Sequence, residues 1–255
     1  GLHPYSEIPR PSTQRLIFAG ITAVAAILCF VFIYFNPTEK EADRNLLTRQ
    51  NMETTTLATT LEDGSIVYLA GNAAIHYPEH FQPDKREISL QGNALFDIAG
   101  NRKRPFLIET EDARIEVLGT AFNVKSDGSQ PFELSVQRGL VKVTLKKSGQ
   151  DVHVKAGETV TLSSRKLQVG QTKDSGQFEE YVRQIRFKDE RLADILRVIN
   201  LNAEDISLKT TPELESRTLT VTFADNSPET MAELICFALD LKCTRENNVI
   251  TLHEN

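Results

Sequence analysis

The sequence predicts a single transmembrane helix, then an all-β domain of sandwich or solenoid type, then a small α+β domain of two β-α-β halves. Three observations lead there. Residues 16–35 run without a charge, Asn, Gln or Pro. From about residue 54 to 169 apolar residues alternate with polar ones between frequent turn signals. After about Gly176 a strand pattern followed by a helical pattern occurs twice.

The apolar run comes first. Twenty helical residues at 1.5 Å rise span about 30 Å, the thickness of a bilayer core. A buried core helix of that length would normally keep a polar face, and this one has none. Arg10 and Arg15 precede the run, while Glu39, Glu41 and Asp43 follow it. The positive flank places the N-terminus in the cytoplasm and the bulk of the chain outside. The run is longer than a signal-peptide core and no A-x-A cleavage site follows it. Leu28 before Cys29 does not suit lipidation, so the span reads as an uncleaved anchor. Ala19, Gly20, Ala23 and Ala26 are small enough to let a second helix approach.

In the β region, Ile88, Leu90, Ala94, Phe96 and Ile98 share one parity, and Phe106 alternates in step with Ile108. Ile115 with Val117, Phe122 with Val124, Leu134 with Val136, and Val141 with Val143 and Leu145 continue the pattern. Period two marks strands buried on one face. Turns at Asp63-Gly64-Ser65, Asp127-Gly128-Ser129, Ser148-Gly149-Gln150 and Ala156-Gly157-Glu158 give the strand spacing of a sandwich, barrel or solenoid. Residues 163–176, polar and containing Gly and Ser, read as a connection.

The third part starts with Ile185 and Phe187 in a strand. Leu192, Ile195, Leu196 and Ile199 then follow a helical face. After a strand at 206–209 the order repeats, with Leu219, Val221 and Phe223 in a strand and Met231, Leu234, Ile235 and Ala238 on a helix. Ser227-Pro228-Glu229 supplies an N-cap, a first-turn Pro and a first-turn acid. Residues 241–244 and 249–252 close the chain as a hairpin, with the helices expected on one sheet. The expected organisation is a cytoplasmic tail at 1–15, the span at 16–35, a juxtamembrane linker at 36–53, the all-β domain at 54–170 and the α+β domain at 178–255.

Composition narrows function. Hydrophobic residues at 40% and charged residues at 25% exclude a disordered chain. A net charge of −6 argues against nucleic acid, whose phosphates need a basic face. No Trp is present to stack on sugars. His76 and His80 flank Pro78 and lack a third ligand, so no metal is expected, and no cofactor either. No G-x-S-x-G elbow, phosphate loop or dinucleotide fingerprint occurs, and the expectation is that the chain is not an enzyme. Cys236 on the second helix and Cys243 on the following strand are either a disulfide, as packing of helix on strand outside the cytoplasm would allow, or two small buried hydrophobes.

Ordered motifs then become specific. Thr60-Leu61-Glu62-Asp63-Gly64-Ser65-Ile66-Val67-Tyr68-Leu69 resembles the opening of FecR-like periplasmic domains. Tyr77-Pro78 and Phe81, then Arg86-Glu87-Ile88-Ser89-Leu90-Gln91-Gly92-Asn93-Ala94-Leu95-Phe96-Asp97-Ile98, continue the likeness. So do Arg104-Pro105-Phe106, Val117-Leu118-Gly119-Thr120-Ala121-Phe122-Asn123-Val124, Arg138-Gly139-Leu140-Val141 and Ala156-Gly157-Glu158. Asn93 departs from the acidic residue usual there, and Tyr181 from the common Trp. The final region is similar to the short β-α-β signalling (STN-like) module of secretins and TonB-dependent transducers.

This resemblance implies a single-pass inner-membrane regulator of cell-surface signalling, an anti-sigma factor in type, in a Gram-negative bacterium. Its periplasmic part would sense the signalling domain of a TonB-dependent outer-membrane receptor. A cytoplasmic N-terminal domain would hold an extracytoplasmic-function sigma factor, with proteolysis of the regulator passing on the signal. Only about fifteen residues precede the span, so the expectation is a fragment of a longer protein, the alternative being a member without that activity. The competing reading is a membrane-anchored periplasmic structural or envelope-binding module. Some relatives of this family cleave themselves at a Gly-Thr pair, which Gly119-Thr120 matches; the alternative is that Gly119 serves a bulge or close strand approach. For the partner, a free sheet edge accepting a strand is expected around Leu219, Thr220, Val221, Thr222 and Phe223, unless these apolar residues are simply core.

Overall fold

The structure is a computed structural model that describes residues 46–174 and 176–255. The tail at 1–15, the apolar run at 16–35 and residues 36–45 lie outside the described residues. No helix among the described residues is long and apolar enough to cross a membrane.

Fourteen strands make the first part. They are β1 (Leu46–Gln50), β2 (Thr56–Thr60), β3 (Ile66–Leu69), β4 (Ala74–Pro78), β5 (Arg86–Gln91), β6 (Ala94–Asp97) and β7 (Phe106–Glu109). They continue as β8 (Ala113–Val117), β9 (Ala121–Lys125), β10 (Glu133–Arg138), β11 (Leu140–Leu145), β12 (Asp151–Lys155), β13 (Glu158–Ser163) and β14 (Lys166–Gln171). One sheet has the order β1-β4-β5-β7-β8-β11-β12, and a second runs β14-β13-β10-β9-β6-β3-β2. Within them only β5 and β7 pair in parallel. The alternating residues meet between the sheets: Ile88, Phe106, Ile108, Ile115 and Val143 from one side, Val67, Phe96, Phe122, Leu134 and Val160 from the other. Phe96 and Phe122 lie stacked with centroids 5.3 Å apart. The architecture is therefore a sandwich.

The second sheet does not stop at β2. After a 3-10 turn (Gly176–Phe178) and a short helix, α1 (Glu180–Arg183), β15 (Gln184–Arg191) pairs in parallel with β2, matching Ile185 to Thr56 and Phe187 to Ala58. β17 (Thr218–Ala224) pairs antiparallel with β15 and makes this a nine-stranded sheet. The other strands, β16 (Ser207–Thr210), β18 (Leu241–Glu246) and β19 (Val249–Glu254), form a separate sheet in the order β16-β19-β18. Two helices, α2 (Leu192–Asn202) and α3 (Pro228–Leu239), pack with both sheets in a second core. That core joins Ile66, Tyr68 and Leu95, on the back of the sandwich sheet, to Ile195 and Ile235 from the helices and Leu252 from the small sheet.

Several expectations change. The α+β region is not helices on one sheet, because its strands divide between two. β15 and β17 extend the sandwich sheet, whose back face at β2 and β3 is apolar and needs covering. Leu46–Gln50, expected in the linker, is an edge strand paired with β4. Its side chains are mostly exposed, with Leu46 and Leu47 at 55% and 43%, so no buried alternation announces it. Asn51 ties the turn that follows by donating to Leu69 O at 2.9 Å and Thr55 O at 2.8 Å. The connection expected at 163–176 contains β14, which buries only Leu167. On α3 the inward face is Ala232, Ile235 and Cys236, leaving Leu234 partly and Phe237 almost wholly exposed. That helix is apolar nearly all round, so periodicity alone could not select its face. Its start does follow the capping signal: Ser227 Oγ accepts from Thr230 N–H at 3.3 Å and Pro228 opens the helix.

The Asp63-Gly64-Ser65 turn anchors a buried charge in the sandwich and lies beside α2. Asp63 accepts from Ser65 N–H and pairs with the buried Arg86 at 2.6 Å, and the Arg86 guanidinium lies 5.2 Å from the Phe106 ring centre. Gly64 has φ +81°, and a Cβ there would sit 2.6 Å from the guanidinium of Arg197 on α2. A side chain there would be strained by the backbone conformation and would push aside the flexible end of Arg197.

Candidate functional site

The predicted partner strand, Leu219 to Phe223, lies in β17 and ends the nine-stranded sheet. Leu219 and Phe223 point into the second core, and Phe223 meets Phe187 edge-on at 6.2 Å. Val221 packs against the same core. Thr218, Thr220 and Thr222 face solvent. Burial of the apolar residues and freedom of the strand's edge are therefore compatible, because they concern different directions: side chains leave a strand through its faces, backbone groups through its edges.

The edge can be read from the ladder. Ala224 N–H is turned from β15 and bonded to Asn226 Oδ1 at 2.8 Å. Residues two apart in an antiparallel strand point their backbone groups the same way. Thr222 and Thr220 therefore direct N–H and C=O outward, where no strand pairs with β17 among the described residues. Beside this edge β15 carries a bulge, with a shift of register between Phe187 and Glu190 and Asp189 at φ +54°. Asp189 N–H donates to Thr220 Oγ1 at 3.0 Å, and that hydroxyl donates to Asp189 Oδ1 at 3.2 Å, which fixes the edge.

The bulge also turns Glu190 inward, a residue that the sequence pattern does not single out. Glu190 is buried and accepts from Thr59 Oγ1 at 2.7 Å, at the joint of β2 and β15. Burial raises its pKa from the ordinary carboxylate value; the Thr59 hydroxyl, Arg49 and the Thr60 N–H oppose this, and Asp194 adds to it. The only hint in the sequence is the break of alternation at Lys188-Asp189-Glu190. Nearby, Tyr181 donates to Asn123 Oδ1 at 2.9 Å and Asn123 donates to Gln177 Oε1 at 3.1 Å, fastening the segment before β15 to the back of β9. Burial pushes the Tyr181 hydroxyl pKa up.

Cys236 and Cys243 form a disulfide, S–S 2.15 Å, that joins α3 to β18. It lies in the same layered region as β17. Gly119 and Thr120 lie elsewhere, where the chain passes from β8 in one sheet to β9 in the other. Gly119 has φ +155°, and a Cβ on it would come 2.6 Å from Gly100 Cα, so close backbone approach requires glycine. Thr120 is buried, and its Oγ1 has no hydrogen-bond partner among the described residues. Glu116, Lys142 and His153 line a cleft with this pair, and none is bonded to the hydroxyl. The site thus offers a tight glycine packing contact beside a sequestered hydroxyl.

The class defined by these features is a two-sheet β-sandwich extended by an α/β layer with an open strand edge. Residues 50–142 match the family described as FecR protein, so the chain carries a FecR-like domain over most of its sandwich. Two crystal structures of a candidate anti-sigma factor from Parabacteroides distasonis ATCC 8503, at 2.50 and 1.65 Å resolution, are similar to the chain. Each is 20% identical with a TM-score of 0.49, covering 82% of this chain and 99% of its own. Comparison with curated proteins gives no match.

Proposed function

We propose that this chain is a regulator of the anti-sigma type, anchored in the inner membrane by residues 16–35, with the described region in the periplasm. The observation that carries this reading is the FecR match over residues 50–142. In this reading the periplasmic region senses the signalling domain of a TonB-dependent outer-membrane receptor, and the signal reaches an extracytoplasmic-function sigma factor on the cytoplasmic side.

The open edge of β17 supports strand addition as the mode of sensing. A receptor strand laid along Thr220 and Thr222 would gain main-chain hydrogen bonds, with the exposed threonine side chains contributing to specificity. Proline at 222 is the discriminating variant, because it removes an outward N–H while the ladder to β15 needs none from that residue. Calorimetric titration of the full chain in lipid nanodiscs with the signalling domain of the receptor encoded nearest to it tests the reading. One-to-one binding, weakened about tenfold or more by Thr222→Pro, is the expected result. Absence of binding at tens of micromolar would remove the receptor role. Equal binding by the variant would move the contact off β17.

A further inference from the structure

Two other sheet edges carry a feature that β17 lacks. β14 ends the nine-stranded sheet at its far side, and β16 ends the small sheet. Gln150, in the turn between β11 and β12, donates from Nε2 to Leu167 O on β14 at 3.2 Å and accepts from Leu167 N–H at 3.0 Å. Asn200, on α2, donates from Nδ2 to Leu208 O on β16 at 2.8 Å and accepts from Leu208 N–H at 2.7 Å. In both places one carboxamide makes both bonds that an added strand would make with that residue.

An edge strand with free backbone groups is a template for another chain. β14 reads Lys166-Leu167-Gln168-Val169-Gly170-Gln171, has no proline, and leaves Val169 42% exposed. It is the kind of edge on which a second copy would pair. The same residue-level solution arises from two unrelated elements, a hairpin turn and a helix, which argues for its function at an edge rather than for accidents of local folding.

We propose that Gln150 and Asn200 are edge guards that prevent β14 and β16 from pairing with the same strands of a second copy of this chain. The inference stands apart from the receptor reading, since it rests on the two carboxamide pairs alone. A guard occupies its residue within the molecule at no cost in binding entropy, so an incoming copy must displace it before gaining any bond.

The test uses the full chain with Cys29→Ser, carrying either Lys209→Cys on β16 or Gln168→Cys on β14, under mild oxidation. With the guards intact, cross-linked dimer should be scarce. Asn200→Ala should raise dimer through position 209 about tenfold and speed hydrogen exchange at Leu208 N–H by a similar factor. Gln150→Ala should do the same through position 168 and at Leu167. If Asn200→Ala does not fold, Asn200→Asp, which keeps an acceptor for the N–H but loses the donor to Leu208 O, is judged by the same cross-link. Faster exchange without more dimer would overturn the proposal, because the edge would then be inert without its guard. Unchanged exchange would overturn it as well, because the carboxamide would not be holding the edge.

Discussion

Two stretches of the same nine-stranded sheet are built differently. In β3 all four residues, Ile66 to Leu69, are buried, because Val67 and Leu69 face the sandwich core while Ile66 and Tyr68 face the helical layer. In β14, at the other end, only Leu167 is buried. One part of the sheet is a partition between two cores and the other is an outer wall. The contrast shows that the change from β to α+β pattern in the sequence is not a change of folding unit: β15 and β17 belong to the sandwich's sheet while serving the second core.

The largest effect should come from breaking the partition. Phe187 is buried on β15, between the parallel ladder to β2 and the ring of Phe223. Phe187→Ala should cost about 3–5 kcal/mol. Urea unfolding followed by far-ultraviolet circular dichroism and by tyrosine fluorescence should show one shifted transition common to both probes. Two separate transitions, with the sandwich unaffected, would mean that the shared sheet does not couple the regions.

Less is expected from the staple in the helical layer. Cys236 and Cys243 close a loop of sequence separation 7. Replacing both with alanine should cost about 2–3 kcal/mol through the added freedom of the unfolded chain. Hydrogen exchange should rise first in α3 and β18 and remain slow in the sandwich core. Comparable exchange gains in β7 or β11 would say that the two cores share their stability more tightly than the single sheet implies.

The sequence made the one-faced strands legible and the partition much less so. Alternation in β5, β7 and β8 follows from one buried face, and the structure uses that face as expected. The run Ile66-Val67-Tyr68-Leu69 carried the signal of burial on both faces, but four consecutive apolar residues do not say what the second face meets. That β17 is a strand was legible; that it ends a sheet was not, since this depends on the non-local pairing of β2 with β15. β1 places two leucines side by side with no alternation, and β14 has one alternating pair, Leu167 and Val169, within a polar stretch. The inward face of α3 is set by packing and the disulfide rather than by its nearly uniform apolar sequence.

The joint itself offers a pH test. Glu190 has a folded-state pKa raised above its unfolded value, chiefly by burial. The folded state therefore holds its proton more tightly, and stability falls as pH rises from the ordinary carboxylate value through the raised one. Below both values the penalty is absent; above both it is fully present. Glu190→Gln keeps a hydrogen-bonding partner for Thr59 and removes the charge, so its stability should vary less across that window and exceed the parent's at neutral pH. A parallel pH dependence in the two proteins would show that the carboxyl group is not the source.

The smallest expected effect lies in the sandwich, away from the partition, at Thr120. Its hydroxyl is buried without a partner among the described residues, while its Cγ2 lies 2.5 Å from where a Cβ on Gly139 would be. Valine has nearly the same shape and lacks the unsatisfied oxygen, so Thr120→Val should stabilise the fold by about 1 kcal/mol. The same variant separates two roles for the Gly119-Thr120 pair. Self-cleavage needs the hydroxyl to attack the Gly119 carbonyl, so that the Gly119–Thr120 C–N bond breaks and the freed Thr120 amine takes the proton. Water then hydrolyses the ester to a Gly119 carboxylate and the Thr120 hydroxyl; valine cannot begin the first step. Packing needs only the shape. Intact-mass measurement of the parent and the variant over days distinguishes them. Fragments ending at Gly119 in the parent and absent from Thr120→Val would make the sequestered hydroxyl a nucleophile. Unbroken chains in both, with the gain in stability, would make this corner of the sandwich a packing contact that glycine alone permits.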